Sequence, residues 1–239
     1  MAEKIVVTSG KGGVGKSSCT VAIGKTLADK GFRVLLVDTD IALRTLDVLL
    51  SVSDRVVFDW GDIIYERCSA EKAILKCEKL DLLTCPLRFE ENYTLAAFKN
   101  VILKYNGDYD FIIIDSPAGV DSGFEIASCS SDRAIVVSTS DRVCVRSAAV
   151  AAQRLYDMGI EDVRLIINRF SKKPVRNKKL LNIDSVIDTT SVQLIGVVPE
   201  DENIGYGIIM KKKNQISYQP FVRITNRILG KNEPLNLNF

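Results

Sequence analysis

Residues 10–18, Gly-Lys-Gly-Gly-Val-Gly-Lys-Ser-Ser, follow directly on the strand-like run Lys4-Ile5-Val6-Val7-Thr8. Gly10, Gly15, Lys16 and Ser17 stand at the spacing G-x-x-x-x-G-K-[ST], which predicts a phosphate-binding loop between a strand and a helix. Few short patterns constrain a fold more, since the loop works only with both elements in place. Glycines permit the tight turn in which successive N–H groups converge on phosphate oxygens, and the helix that follows presents its positive end to the same anion. In such a loop Lys16 neutralises the β- and γ-phosphates and the Ser17 hydroxyl is offered to Mg²⁺. Lys11, Gly12, Gly13, Val14 and Ser18 complete the expected cradle. A glycine-rich turn joining strand to helix by chance would not need the full spacing.

The rest of the chain agrees with an α/β reading. Apolar runs bounded by turn residues recur at 4–7, 34–37, 80–84, 111–114, 134–137, 164–167 and 194–198, nearly continuous rather than alternating. Such strands are buried on both faces. Helix-like stretches lie between or after them at 16–30, 70–76, 94–105, 122–130, 143–158, 183–189 and 221–229. Strand and helix alternate, so a single-domain α/β fold of the P-loop NTPase type is expected, a mostly parallel twisted sheet with helices on both faces. The first helix should turn Val21, Leu27 and Ala28 to the sheet and stop at Lys30-Gly31. A chain of 239 residues with 46% apolar and 26% charged residues can bury one sizeable core.

Composition also removes functions. The sequence has no histidine, so a histidine base and a histidine-ligated zinc site are excluded and catalysis must rest on carboxylates and lysines. Cys19, Cys68, Cys77, Cys85, Cys129 and Cys144 form no C-x-x-C pair and read as reduced core residues of a cytoplasmic protein. A net charge of +2 predicts no obligate nucleic-acid partner. The start Met1-Ala2-Glu3 does not resemble a signal peptide, and no apolar run approaches the roughly 18 residues of a membrane span. The basic runs Lys172-Lys173 and Lys211-Lys212-Lys213 are expected in solvated loops.

Two further segments place carboxylates near the loop. Val37-Asp38-Thr39-Asp40 brings two of them to the carboxyl end of a strand, the edge where open α/β sheets bind ligands. Both could instead cap helices. Phe111-Ile112-Ile113-Ile114-Asp115 is a buried strand delivering an acid, the pattern by which Asp115 would reach Mg²⁺ through water.

Lys11 inside the loop narrows the reading, because Lys11-Gly12-Gly13-Val14-Gly15-Lys16-Ser17 resembles the deviant Walker A motif of the MinD/ParA class of ATPases. Residues 38–47 are similar to the switch I segment of the MinD branch, and residues 115–119 to its switch II. The resemblance implies ATP/ADP and Mg²⁺ as ligands and an ATP-dependent homodimer in which Lys11 reaches the nucleotide of the other subunit. It implies that Asp40 orients the attacking water, that Asp38 joins Ser17 and Asp115 around the metal, and that Gly119 is a hinge sensing the γ-phosphate. Asn168-Arg169 and Pro199-Glu200-Asp201 are similar to the class's base-contacting pair and loop, although either could be an ordinary strand-end turn. The expected activity is a slow ATPase acting as a spatial switch in division-site placement, with protein effectors of the inhibitor or activator type.

The sequence departs from that pattern at Ala42 and Ser51, where glycine is usual, at Thr139-Ser140-Asp141-Arg142, which lacks the usual Pro-Glu, and through residues 205–213. Domain 1–230 is followed by residues 231–239, which contain Pro234 and too few apolar and basic side chains for the basic amphipathic helix by which the MinD branch usually binds membrane. Membrane attachment is therefore not expected of this stretch, and a peripheral inner-membrane location is expected only if a further tail belongs to the protein. Alternatives on the same fold are a DNA-partitioning ATPase using Lys172, Lys173, Arg176, Lys178 and Lys179 on DNA phosphates, and a nucleotide-binding module with little hydrolysis. An iron–sulfur carrier would need the C-x-x-C pair that is lacking.

Overall fold

A computed structural model describes the chain except Ala42, Lys178, residues 206–208, residues 211–213 and Phe239. The glycine position at Ala42, the DNA-contact candidate Lys178 and the Lys211-Lys212-Lys213 run therefore lie outside the described residues. From the amino end the elements are β1 (Glu3–Ser9), α1 (Lys16–Asp29), β2 (Val34–Asp38), α2 (Leu46–Leu50), α3 (Trp60–Ile64), α4 (Ala70–Ala73), β3 (Leu75–Lys76), β4 (Asp81–Leu83), α5 (Leu95–Leu103) and β5 (Phe111–Ala118). The chain continues through α6 (Ser122–Ser128), β6 (Arg133–Ser138), α7 (Arg142–Asp157), β7 (Asp162–Phe170), α8 (Lys172–Arg176), α9 (Ile183–Thr190), β8 (Gln193–Pro199), α10 (Glu202–Gly205) and α11 (Tyr218–Ile228).

The sheet has the order β3-β4-β2-β5-β1-β6-β7-β8, and every neighbouring pair is parallel except β3 with β4. All seven strands expected from apolar runs are present. Their double-sided burial shows in β5, where Ile112 and Ile114 join a core with Trp60, Phe98, Phe124 and Val145 while Phe111 and Ile113 join another with Val21, Leu27, Phe221 and Ile224. One core lies under α3, α5, α6 and α7, the other under α1, α2 and α11, so helices cover both faces. In α1, Val21 and Leu27 are fully buried, Ala28 packs at the margin, and Gly31 takes φ 91° beyond the last turn, as a C-terminal stop requires.

Two expectations need correction. The stretch 70–76 is not one helix: α4 ends at Ala73, and Leu75–Lys76 pairs antiparallel with Asp81 and Leu82. Backbone groups of β4 on the sheet's outer side would otherwise face water, and a two-residue edge strand satisfies them in place of another helical turn. Lys172 and Lys173 are exposed as expected, but they open the short helix α8, not a loop, because Val175 packs back on the core. No disulfide joins the cysteines, of which Cys19, Cys85 and Cys144 are buried and Cys68, Cys77 and Cys129 half-buried. No helix among the described residues is long and apolar enough to cross a membrane.

Candidate functional site

β1 lies mid-sheet, between β5 and β6, and the loop after it opens at the carboxyl edge of the strands. That is where successive connections leave toward opposite sides, the position at which open α/β sheets hold ligands. The four glycines of the loop divide into two pairs. A Cβ at Gly10 would lie 2.0 Å from the Ser147 carbonyl oxygen of α7, and one at Gly15, with φ 90°, would lie 2.3 Å from Asn168 Nδ2. Gly12 meets nothing nearer than Ala118 Cβ at 3.9 Å, and Gly13, with φ 80°, meets nothing within 4 Å. The outer pair is thus closed in by protein and the inner pair faces open space. Among the described residues no hydrogen bond is made by the N–H groups of residues 12–18. A concave loop of free donors at the head of α1 suits an anion.

Charged side chains meet beneath it. Lys16 is buried, its Nζ 3.0 Å from Asp115 Oδ1 and donating to Ser17 Oγ at 3.2 Å. Thr20, one turn along α1, donates to the same Asp115 oxygen at 2.8 Å. The other oxygen, Asp115 Oδ2, is buried and has no partner among the described residues. Asp38 pairs with Asp115 in the parallel register of β2 and β5. Its two oxygens accept the N–H groups of Asp40 and Leu46, each at 2.9 Å. Burial, and then the charge of Asp115, push the Asp38 carboxyl up to about 7. Two buried acids side by side with one lysine make a site short of positive charge. An orphaned, buried carboxylate oxygen, in a site where Lys16 links the same carboxylate to the Ser17 hydroxyl, fits Mg²⁺, a cation that takes oxygen ligands and keeps several waters when few of them come from protein.

The remaining expected residues separate into those at the loop and those turned from it. Lys11 is exposed, and its carbonyl accepts the Ser9 hydroxyl at 3.0 Å. Asp40 stands just past β2, half-buried, on a cavity of about 180 Å³ shared with Thr39, Trp60, Pro117 and Asp121. Asn168 is buried behind the loop and donates to the Val14 carbonyl at 2.8 Å. Arg169, at φ 53°, reaches Glu200 Oε1 at 3.1 Å and the Gly13 carbonyl at 3.4 Å, while the Glu200 N–H donates to Phe170. Pro199 ends β8 in register with Phe170. Asp201 turns elsewhere: Ser217 Oγ donates to it at 2.6 Å and Asn203 through both N–H and Nδ2. These bonds outweigh the effect of burial and hold its carboxyl below the usual range. Its described contacts are those of a turn between β8 and α11.

Sequence reasoning passed over Thr20, Thr39 and Trp60. Thr39 Oγ1 donates to the Asp115 carbonyl at 2.7 Å, and Trp60 Nε1 donates to the Asp38 carbonyl at 3.0 Å. Thr20, one helical turn beyond Lys16, could have been found from spacing alone, whereas Trp60 carries no such signal.

A glycine loop of free donors, with a buried lysine, a serine and paired carboxylates at the carboxyl edge of a parallel sheet, defines a P-loop nucleotide-binding protein. Comparison with known proteins narrows the class. Residues 5–208 match the family described as CobQ/CobB/MinD/ParA nucleotide binding domain, and the chain belongs to that family, in its MinD group. The septum site-determining protein MinD of Bacillus subtilis is 36% identical, over 99% of this chain and 92% of its own length. Among solved structures, a chain of the MinC:MinD cell division protein complex of Aquifex aeolicus superposes with a TM-score of 0.89 at 32% identity, over 98% of this chain and 99% of its own. MinD of Pyrococcus horikoshii, solved with Mg-ADP, gives 0.85 at 27% identity over 95% and 96%.

Proposed function

We propose that the chain binds ATP with Mg²⁺ at residues 10–18, associates as a dimer in that state, hydrolyses ATP to ADP and phosphate, and so acts as a spatial switch in division-site placement. The observation that carries this is the convergence of Lys16 and Asp115 at 3.0 Å below free loop N–H groups, with Asp115 Oδ2 unpartnered. Kinship with MinD proteins, one of them solved with Mg-ADP and one with MinC, supports the ligand, the biological role and a protein effector of the same kind.

In this reading the loop N–H groups and Lys16 would bind the β- and γ-phosphates, and Ser17, Asp38 and Asp115 would hold the metal. Mg²⁺ supplies charge neutralisation across those phosphates. Asp40 orients the water whose oxygen bonds to the γ-phosphorus as the bond to the β-bridging oxygen breaks. Exposed Lys11 extends toward the nucleotide of a second copy and adds the charge that favours the transition state. Asn168 and Arg169 hold the rear of the loop and offer contacts to the base together with Pro199 and Glu200; Asp201 supports that turn through Ser217. Domain 1–230 carries all of these groups.

A second reading, a DNA-partitioning ATPase, rests on exposed Lys172, Lys173, Arg176 and Lys179 at and just after α8. Salt-sensitive binding to duplex DNA in ATP would favour it.

Calorimetric titration with ATP and single-turnover hydrolysis test the first reading together. Lys16→Ala should weaken ATP binding at least a hundredfold, on the order of what a lost charge-assisted contact to phosphate costs. Asp40→Ala should bind ATP normally and hydrolyse it about a hundredfold more slowly, since that group acts only in the transition state. Normal ATP affinity in the lysine variant, or an unchanged rate in the aspartate variant, would sink the corresponding assignment.

A further inference from the structure

We infer that Trp60 is a positioning residue for the Asp38 and Asp40 carboxylates, holding the strand end from which both leave the sheet; this rests on the nucleotide-binding reading above.

β2 and β4 are paired in parallel register as far as Val37 with Leu83, and beyond that pair side chains bridge the two, Cys85 Sγ lying 3.3 Å from the Asp40 carbonyl oxygen. Trp60 adds two donors from one residue. Its backbone N–H bonds the Thr84 carbonyl at the end of β4, at 3.1 Å, and its indole Nε1–H bonds the Asp38 carbonyl at the end of β2, at 3.0 Å. The residue thus continues, as a clamp, a ladder that the backbones no longer make.

The clamp is rigid for two reasons. Trp60 is fully buried and packs edge-on against Tyr93 at 4.8 Å and Phe98 at 5.4 Å. It is the first residue of α3, whose capping box with Asp59 and Asp62 fixes the helix start. Trp60 also borders the cavity lined by Thr39, Asp40, Ile41, Pro117 and Asp121. Meanwhile the Asp38 side chain is tied forward to the N–H groups of Asp40 and Leu46. Backbone and carboxylate of Asp38 are therefore pinned from opposite sides, and a shift of its carbonyl moves both acids relative to Ser17 and Asp115. Without the indole N–H the Asp38 carbonyl loses its side-chain donor in a buried place, and the strand end must move to find another.

The chain has one tryptophan, so biosynthetic replacement reaches this position alone. β-(3-Benzothienyl)alanine keeps the ring's size with sulfur for N–H, and 5-fluorotryptophan keeps the N–H and adds a fluorine nucleus. The fluorinated protein should match the unsubstituted one in hydrolysis, and its ¹⁹F resonance should move when Mg²⁺ is added to the ADP-bound protein. The benzothienyl protein should bind a fluorescent ADP in EDTA with unchanged affinity, yet need about tenfold more Mg²⁺ for the metal-dependent gain in binding, as an unmet buried carbonyl implies. Its kcat should fall about tenfold with KM for ATP little changed.

An unchanged Mg²⁺ requirement and kcat in the benzothienyl protein would overturn the inference. So would an equal loss of binding in EDTA, which would mark a general structural role. Trp60→Phe serves as a second variant without the N–H; if neither folds, Trp60 is a folding residue and the positioning role is wrong. Absence of hydrolysis in the unsubstituted protein would instead contradict the ATPase reading, and the Mg²⁺ titration would still judge Trp60.

Discussion

Gly10 looks, from its motif, like a phosphate contact, and its surroundings give it a different duty. The space a side chain would need is taken by the Ser147 carbonyl oxygen, 2.0 Å from the would-be Cβ, so Gly10 lets α7 close against the loop. Backbone cannot yield as a side-chain tip can. Gly10→Ala should therefore lower unfolding stability by about 3 kcal/mol, the upper range for overpacking, as read by urea denaturation without nucleotide. A loss below about 1 kcal/mol would show that α7 can move away. Asp38 offers a second measurement at this scale. Its carboxyl is pushed up to about 7 by burial and by Asp115, against about 4 in an unfolded chain. The folded state thus holds a proton that the unfolded state has released, so stability falls as pH rises between those values. With no histidine in the chain to titrate over the same range, the nucleotide-free and metal-free protein should be about 1 kcal/mol more stable at pH 6 than at pH 8. Thermal melts across that range in EDTA check it, and Asp38→Asn should flatten the profile.

Among the elements, α2 closes on a residue type that its backbone conformation does not favour. The helix ends in Ser51 at φ 59°, a left-handed cap where the resemblance to the MinD class leads one to expect glycine. A serine there carries strain that glycine would not. Ser51→Gly should raise stability by about 0.5–1 kcal/mol, and a destabilising effect in chemical denaturation would show that the side chain has work of its own. The same scale shows what the sequence could and could not disclose. Strands were legible because double-sided burial leaves unbroken apolar runs such as Phe111 to Ile114. The end of α4 was not, because no glycine or proline interrupts residues 70–76 and the pairing of Leu75 with Leu82 depends on a partner further along the chain. Short α2, α3, α8 and α10 were also passed over, each too brief to show a helical period. At the site, Lys16, Ser17 and Asp115 could be read from spacing and a strand end. Asn168 and Arg169 were visible only through resemblance, and Trp60 not at all, since its acceptor is a carbonyl and any residue supplies one.

For the whole molecule, the parallel sheet is what makes a switch possible. β1, β2 and β5 are adjacent, so the phosphate loop, the segment after Asp38 and the segment after Asp115 leave from one edge. A ligand bound at that edge would touch three connections at once, and Lys11, in the first of them, is exposed. Nucleotide state should therefore be read out as association. Light scattering of Asp40→Ala with Mg-ATP and with Mg-ADP tests this most directly. The mass of two chains is expected in ATP and of one in ADP, with Lys11→Ala in the same background remaining a single chain in both. The same mass in ATP and ADP, or a Lys11→Ala variant that pairs as readily, would contradict a nucleotide-gated dimer.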